Sequence, residues 1–417
     1  MLGMKKTILL LFAVMLQLSV QGQMTLQAYR DSVYAASTEV ANSIIKIDQS
    51  ASVVKKEYAG FLPDVSADGS FTKNFHRDGN GKLWGFSITP TLSQTIYAGG
   101  GVRASWRQAK SDYNVSREEA QSIRLDMLYE ADYAYWQVSA TQLYKAATDH
   151  YVDIIRSLYN VVKNRYDEGY VAKGDLLQVE ARLSEAEYSQ IVMQSECEKA
   201  LHKFNNLGGW HEPMVVELAQ SITDTIPMPQ RVSYTEIIEH RPDIQAMAWR
   251  VKAAEYGVDV TRASLWPNMY VGVGGSWQTF SPNIKGHTYL DASIMLGVSV
   301  PIFHWGERRQ AVASAKYDYR MAYNLWEQQR DDVEQEEADG WSALVSSYSQ
   351  MQSSLRNLDI ASENLSISTY SYQEGKATIL EVLQAQISWI QIYTNAITAR
   401  FNYAVAVSEY KHLTATD

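Results

Sequence analysis

The chain has 417 residues, a formal net charge of −10 at pH 7 and one cysteine. That lone residue, Cys197, excludes an intrachain disulfide and any metal site built on a cysteine pair or quartet. An acidic chain without a basic run is also a poor match to nucleic acid.

The first 22 residues read as an address. Lys5 and Lys6 precede an apolar run over 8–16, and Val20-Gln21-Gly22 sets small residues at −3 and −1 before Gln23. This is the pattern of a secretory signal peptide over 1–22; a membrane-anchoring helix is the alternative, and the short core and polar flank disfavour it. Cleavage removes Lys5 and Lys6 and takes the charge from −10 to −12. Cys197 lies far from the cleavage site, so the mature protein is expected to be exported and unacylated. No later stretch approaches the 18 or more apolar residues of a spanning helix, which leaves membrane crossing to strands.

A helix over about 25–58 comes next, and Pro63 opens a hairpin over 61–98. There Val65, Ala67, Gly69, Phe71, Lys73 and Phe75 alternate with Ser66, Asp68, Ser70, Thr72 and Asn74, a period of two with one mostly apolar face. The tip Arg77-Asp78-Gly79-Asn80-Gly81 is turn chemistry. No proline falls between Pro90 and Pro213, which leaves 102–165 free to form one helix of roughly 95 Å at 1.5 Å per residue. Ala147, Tyr151, Ile154, Leu158 and Val161 alternate steps of four and three, the heptad signature of coiled-coil packing. Tyr166-Asp167-Glu168-Gly169 then reads as a turn into a return helix. A proline-bearing connector over 207–232 follows, holding Pro213, Pro227 and Pro229.

The second part repeats the first. After a helix over about 233–262, Pro267 opens a hairpin over 265–302, with tip Ser281-Pro282-Asn283 and a return strand of Leu290, Ala292, Ile294, Leu296, Val298 and Val300. Ile96-Tyr97-Ala98-Gly99-Gly100-Gly101-Val102-Arg103 lines up with Ile302-Phe303-His304-Trp305-Gly306-Glu307-Arg308-Arg309 about 206 positions on. The same offset joins Tyr166-Asp167-Glu168-Gly169 to Tyr372-Gln373-Glu374-Gly375, and Asp175-Leu176-Leu177-Gln178 to Glu381-Val382-Leu383-Gln384. Leu383, Ile387, Ile390, Ile397, Phe401 and Ala404 repeat the heptad, with Thr394 its polar position. The period is too long for a solenoid and reads as duplication of one supersecondary unit: a first repeat over 23–206 and a second over 233–417.

Strands of about ten residues with this alternation fit a transmembrane barrel or, as the alternative, an exposed soluble hairpin. Four strands cannot close a barrel, and lipid does not tolerate open edges, so membrane strands require more than one copy. Three copies supply twelve strands, without excluding two or four.

At this point the chain resembles the TolC-like outer membrane efflux protein family. The carriers are the repeat itself, His240-Arg241-Pro242-Asp243-Ile244 with the helix ending at Leu265-Trp266-Pro267, and the strand end from Pro301 to Arg309. The resemblance implies an α+β membrane protein, a duplicated unit of β-hairpin plus long coiled-coil helices. It further implies a homotrimer with a 12-strand β-barrel continued by an α-helical periplasmic tunnel. Partners would be a periplasmic adaptor and an inner membrane pump, the RND type ahead of a type I secretion transporter. No cofactor and no catalysis are implied.

On the family pattern, Glu381 matches an acidic ring position at the periplasmic constriction, and Tyr372 a tyrosine of the closing network. Gln384 departs from an expected aspartate, Asp175 is the repeat counterpart of Glu381, and Ala377 stands where an arginine is expected, so any latch uses other contacts. Tyr166, Glu168, Gly169, Tyr372, Glu374 and Gly375 are the expected adaptor-contact tips. A carboxylate early in a helix is also favoured by the helix dipole alone. Threefold symmetry would turn a lumen-facing Glu381 into a ring that favours cations.

The eight histidines show no metal-ligand spacing, and no nucleotide or hydrolase motif is present. The run Asp331-Asp332-Val333-Glu334-Gln335-Glu336-Glu337 reads as a solvated helix face ahead of a cation site, and Trp84, Tyr97, Trp277, Tyr289 and Trp305 as an interfacial aromatic belt, with packing against the barrel as the competing account. The functional expectation is a passive exit duct; a trimeric coiled-coil adhesin or surface structural protein is the alternative from another class.

Overall fold

The computed structural model describes residues 23–73, 75, 83–210, 217–279 and 289–416; the signal-peptide reading of 1–22 and both hairpin tips lie outside them. In chain order the elements are α1 (Leu26–Ala36), α2 (Thr38–Ala59), β1 (Asp64–Lys73), β2 (Trp84–Ala98), α3 (Gly101–Asp167) and α4 (Lys173–Leu207). After the connector come α5 (Tyr234–His240), α6 (Pro242–Ala263), β3 (Asn268–Gln278), β4 (Tyr289–Ser299), α7 (Glu307–Gln373) and α8 (Ile379–Thr414). The proline-free stretches become α3 and α7, each 67 residues long. Among the described residues no helix is long and apolar enough to cross a membrane.

Two expected helices are each interrupted. Ser37 breaks the first with an extended backbone (φ −66°, ψ 121°); its hydroxyl accepts from the Val40 amide at 3.3 Å, restarting the helix as a cap does. Arg241 breaks the other because the residue before a proline is steered out of the helical region, and Pro242 then starts α6 at a position that needs no N–H.

The chain divides into two compact units. One comprises Met1–Val40, Ile123–Ile237 and Val333–Asp417. Its core gathers Tyr29 and Val33 from α1, Ala131, Tyr135 and Val138 from α3, Phe204 from α4 and Ile397 and Ala404 from α8. Tyr29 stacks on Phe204 with centroids 3.8 Å apart and donates its hydroxyl to the Phe204 carbonyl at 3.0 Å. Burial, with Glu130 adding to it, holds the Tyr29 phenol well above its ordinary range. Beside it the Arg30 guanidinium grips Asp132 in a two-point pair at 2.6 and 2.7 Å.

Several described backbone groups of the irregular connector are partnered, as buried backbone requires. Met24 donates to the Glu217 carbonyl at 2.8 Å and accepts from Ala219 at 2.9 Å, while Ile222 donates to the Ser139 hydroxyl at 3.0 Å. Arg231 binds both oxygens of Glu337, at 2.9 and 2.8 Å, and Tyr410 donates to the same carboxylate at 3.1 Å. These donors, Arg231 first, hold the Glu337 carboxyl below its usual range. Glu337 is therefore a buried exception within an acidic run in which Asp331, Asp332 and Glu334 are exposed as expected.

The heptad reading of α3 needs a shift. Val161 is 39% exposed whereas Val162 is fully buried. The buried seam runs Tyr151, Ile155, Leu158, Val162, so it drifts one position from the expected Ile154 and Val161. Those candidates are separated by one residue, and only packing against neighbouring helices selects between them.

The other unit comprises Ala41–Ser122 and Ile238–Asp332 and carries one antiparallel sheet in the order β1-β2-β3-β4. Register decides its character. Val65 pairs with Leu92, Leu92 with Val273 and Val273 with Ile294, one apolar row across all four strands. Gly69, Ile88, Trp277 and Leu290 form a second row, and Phe71 faces Phe86. The opposite face holds Ser66–Thr91 and Ser70–Ser87 hydroxyl pairs, both at 2.8 Å. There Tyr270 lies over Gly297, where a side chain would meet the ring at 2.2 Å. The apolar side chains Val65, Phe71, Ile294 and Leu296 are largely exposed, and β1 and β4 are edge strands paired on one side only.

Candidate gate and docking turns

Both Tyr-x-Glu-Gly segments form the same helix stop. Gly169 takes φ +81°, the Tyr170 amide reaches back to the Arg165 carbonyl at 2.8 Å, and the Gly169 amide to Tyr166 at 2.9 Å. At the other turn Gly375 takes φ +72°, with Lys376 donating to Ser371 at 2.8 Å and Gly375 to Tyr372 at 3.0 Å. This double bond pattern satisfies the last helical carbonyls and requires a left-handed residue, which glycine adopts at little cost. Glu168, Gly169, Glu374 and Gly375 are exposed, and Tyr166 is half-buried.

Tyr372 is the exception among the expected tips. It is buried with Leu158, Val162, Val179, Ile379, Val382 and Leu383 in a small core beneath the turns. Its hydroxyl is buried without a hydrogen-bond partner among the described residues. Withdrawn from the surface, it groups with the packing that holds the turns together rather than with a contact surface.

Asp175 and Glu381 each occupy the third position of their helix, α4 and α8. Their surroundings differ. Thr378 caps α8: its hydroxyl accepts from the Glu381 amide at 3.4 Å and donates to the Glu381 carboxylate at 3.0 Å. This capping-box relative fixes the carboxylate at the helix mouth, where the dipole favours negative charge. Ala172 has no side chain to cap α4, so Asp175 lacks that restraint. Glu381 and Gln384 are both exposed, one turn apart on α8, and Asp175 is half-buried.

One basic side chain reaches the Tyr372 ring. Arg165, in the last turn of α3, sets its guanidinium 4.9 Å from the centre of the Tyr372 ring and donates to the Gln373 carbonyl at 3.3 Å. One side chain thus ties the end of α3 to the end of α7. A cation near a helix C-terminus reads in sequence as dipole compensation. Its partner 208 positions away gives no local signal.

The family model described as outer membrane efflux protein matches residues 23–208 and 233–414. The chain is 23% identical over 312 residues to Protein CyaE of Bordetella pertussis, covering 72% of this chain but only 64% of that protein. It is 23% identical over 399 residues to the pyoverdine export outer membrane protein OpmQ of Pseudomonas aeruginosa, covering 90% of this chain and 82% of that one. Among solved structures, the crystal structure of CusC superposes with a TM-score of 0.83 at 16% identity, covering 95% of each chain. These relatives give no support to the adhesin alternative. With the family model matched to both halves over most of its length, this chain belongs to the outer membrane efflux protein family, whose members are outer membrane transport proteins and not enzymes.

Proposed function

We propose that this chain is the passive outer membrane duct of a tripartite efflux system. Three copies form a twelve-stranded barrel continued by a helical periplasmic tunnel. The observation that carries the reading is the sheet: register collects apolar side chains on one face across four strands, while β1 and β4 each keep an unpaired edge. Lipid accepts such a face, but it accepts no open edge, so β4 of one copy must meet β1 of the next. The chain is then a duplicated unit, 23–206 and 233–417, joined by the connector 207–232 and exported by a cleaved signal peptide without lipidation. Starts of α3 and α7 at Gly101 and Glu307, and of α4 and α8 at Lys173 and Ile379, support the duplication.

The constriction in this reading lies where α4 and α8 begin, with Glu381, Gln384 and Asp175 toward the lumen and Tyr372 in the closing contacts. Its ring, packed in the core beneath the turns with the Arg165 guanidinium 4.9 Å from its centre, supports that role. The exposed Glu168, Gly169, Glu374 and Gly375, with half-buried Tyr166, form the docking tips for a periplasmic adaptor. The inner membrane partner is a pump of the RND type ahead of a type I transporter.

Single-particle imaging of the protein extracted from outer membranes tests the duct. A threefold particle with a closed barrel is expected; a monomer overturns the reading. In planar bilayers Glu381→Ala should reduce cation over anion preference and weaken block by divalent cations, because a ring of three carboxylates is removed. Unchanged selectivity would discard the ring and leave the duct.

A further inference from the structure

The loop leaving β4 differs from its counterpart in the first half at a position whose backbone favours glycine. After β2, Gly99 and Gly100 take φ +60° and +84°, and a side chain at Gly99 would come within 2.6 Å of the Ala263 carbonyl. After β4 the same positions are Trp305 and Gly306, at φ +48° and +83°. A bulky residue in the left-handed region costs about 1–2 kcal/mol. Burial does not offset that cost here, since Trp305 is 91% exposed and among the described residues its ring contact is Phe303, edge-on at 5.0 Å. Strain retained for an exposed aromatic points to something outside the chain that covers it.

The surroundings say what covers it. Val300 and Ile302, both exposed, continue the apolar row of Leu290, Ile294, Leu296 and Val298 beyond the end of β4. Beside them a cavity of about 190 Å³ is lined by Leu265 and by residues from Pro301 to Arg309, including His304, Arg308 and Arg309. A larger one of about 540 Å³ adjoins it and shares Pro301 and Arg308. Arg308 is fixed by donating to the Ser264 carbonyl and by contact with His304 Nε2 at 3.3 Å. The exposed Arg309 guanidinium is left at the cavity wall. An apolar row that ends in aromatics and then arginines matches a phospholipid read from acyl chain to phosphate.

We propose that residues 300–309 form a phospholipid site at the helix-side rim of the sheet. Trp305 and Phe303 enter the boundary between acyl chains and headgroups, and Arg309, with His304 and Arg308 beside it, takes the headgroup phosphate. The site rests on the membrane reading of the sheet and specifies where a lipid is held.

The test uses the full protein in liposomes carrying phospholipid with a nitroxide on the headgroup or at the acyl-chain end. Emission of the wild type minus that of Trp305→Phe isolates one of the 11 tryptophans. The headgroup label should quench that difference at least twofold and the chain-end label less. Native mass spectrometry of Arg309→Ala should show fewer retained phospholipids than wild type. Trp305→Gly should raise thermal stability, by releasing the strain, and lower lipid retention; a loss of both would mark Trp305 as structural and overturn the site. A Trp305 signal insensitive to both labels also overturns it, and if other tryptophans are quenched the membrane sheet stands without it. Insensitivity of every tryptophan overturns the sheet reading as well. Shielding that disappears when the assembly dissociates would assign the rim to a second copy instead.

Discussion

Arg165→Ala should raise single-channel conductance several-fold in planar bilayers. Arg165 is the side chain that joins the two turns, through the Tyr372 ring and the Gln373 carbonyl. A cation over an aromatic ring contributes roughly 0.5–2 kcal/mol and a charged hydrogen bond about 1.5–3 kcal/mol. Partial exposure pulls the combined figure toward the low end, about 2 kcal/mol, or roughly thirtyfold in the balance between held and released tips. Removing it biases the bistable end of the helices toward release. Arg165→Lys should fall between the two, since an ammonium keeps the charge over the ring but lacks the planar fork that also reaches the carbonyl. Wild-type conductance in both variants would mean that the tether holds the hairpins without controlling passage.

Asp132→Ala should be among the most destabilising single changes in the first unit, by about 3–5 kcal/mol. The Asp132 side chain is 3% exposed and accepts two bonds from Arg30, itself 16% exposed. Truncation removes a nearly buried carboxylate that binds two N–H groups of the half-buried Arg30 beside the core of Tyr29 and Phe204. The pair as a whole is a different matter. Replacing both partners, Arg30→Met with Asp132→Leu, should restore most of the loss, because the desolvation of two charges offsets much of their attraction. Urea unfolding followed by tryptophan emission distinguishes these cases. A loss below about 1 kcal/mol in Asp132→Ala would show that Arg30 finds water in the folded state.

What could be read from the chain depended on the range of the interaction responsible. The long helices were legible almost to the residue, 102–165 against Gly101–Asp167, because proline and glycine act locally on the backbone. Strand faces followed from a period of two, and both turns from glycine after a helix. Pro242 marked a break at Arg241 that the sequence reading passed over, whereas Ser37 is an ordinary helix residue until its hydroxyl caps Val40. The one-position drift of the seam, from Val161 to Val162, is decided by neighbouring helices. Site residues divide in the same way. Glu381 is singled out on the family pattern alone, and Thr378, three residues before it, caps α8 without having been read from the sequence. Arg165 was not readable, because its role exists only once α3 and α7 end side by side.

A sheet with two unsatisfied edges makes each copy's contribution indivisible. In the proposed threefold ring no copy would complete a wall for itself, and one copy with a spoiled β1 or β4 edge would leave the whole ring unsealed. In a cell expressing sound and edge-damaged chains together, working channels should therefore fall roughly as the cube of the sound fraction under threefold closure. Edge damage would act dominantly, whereas a change confined to the polar face of the sheet would be diluted in proportion.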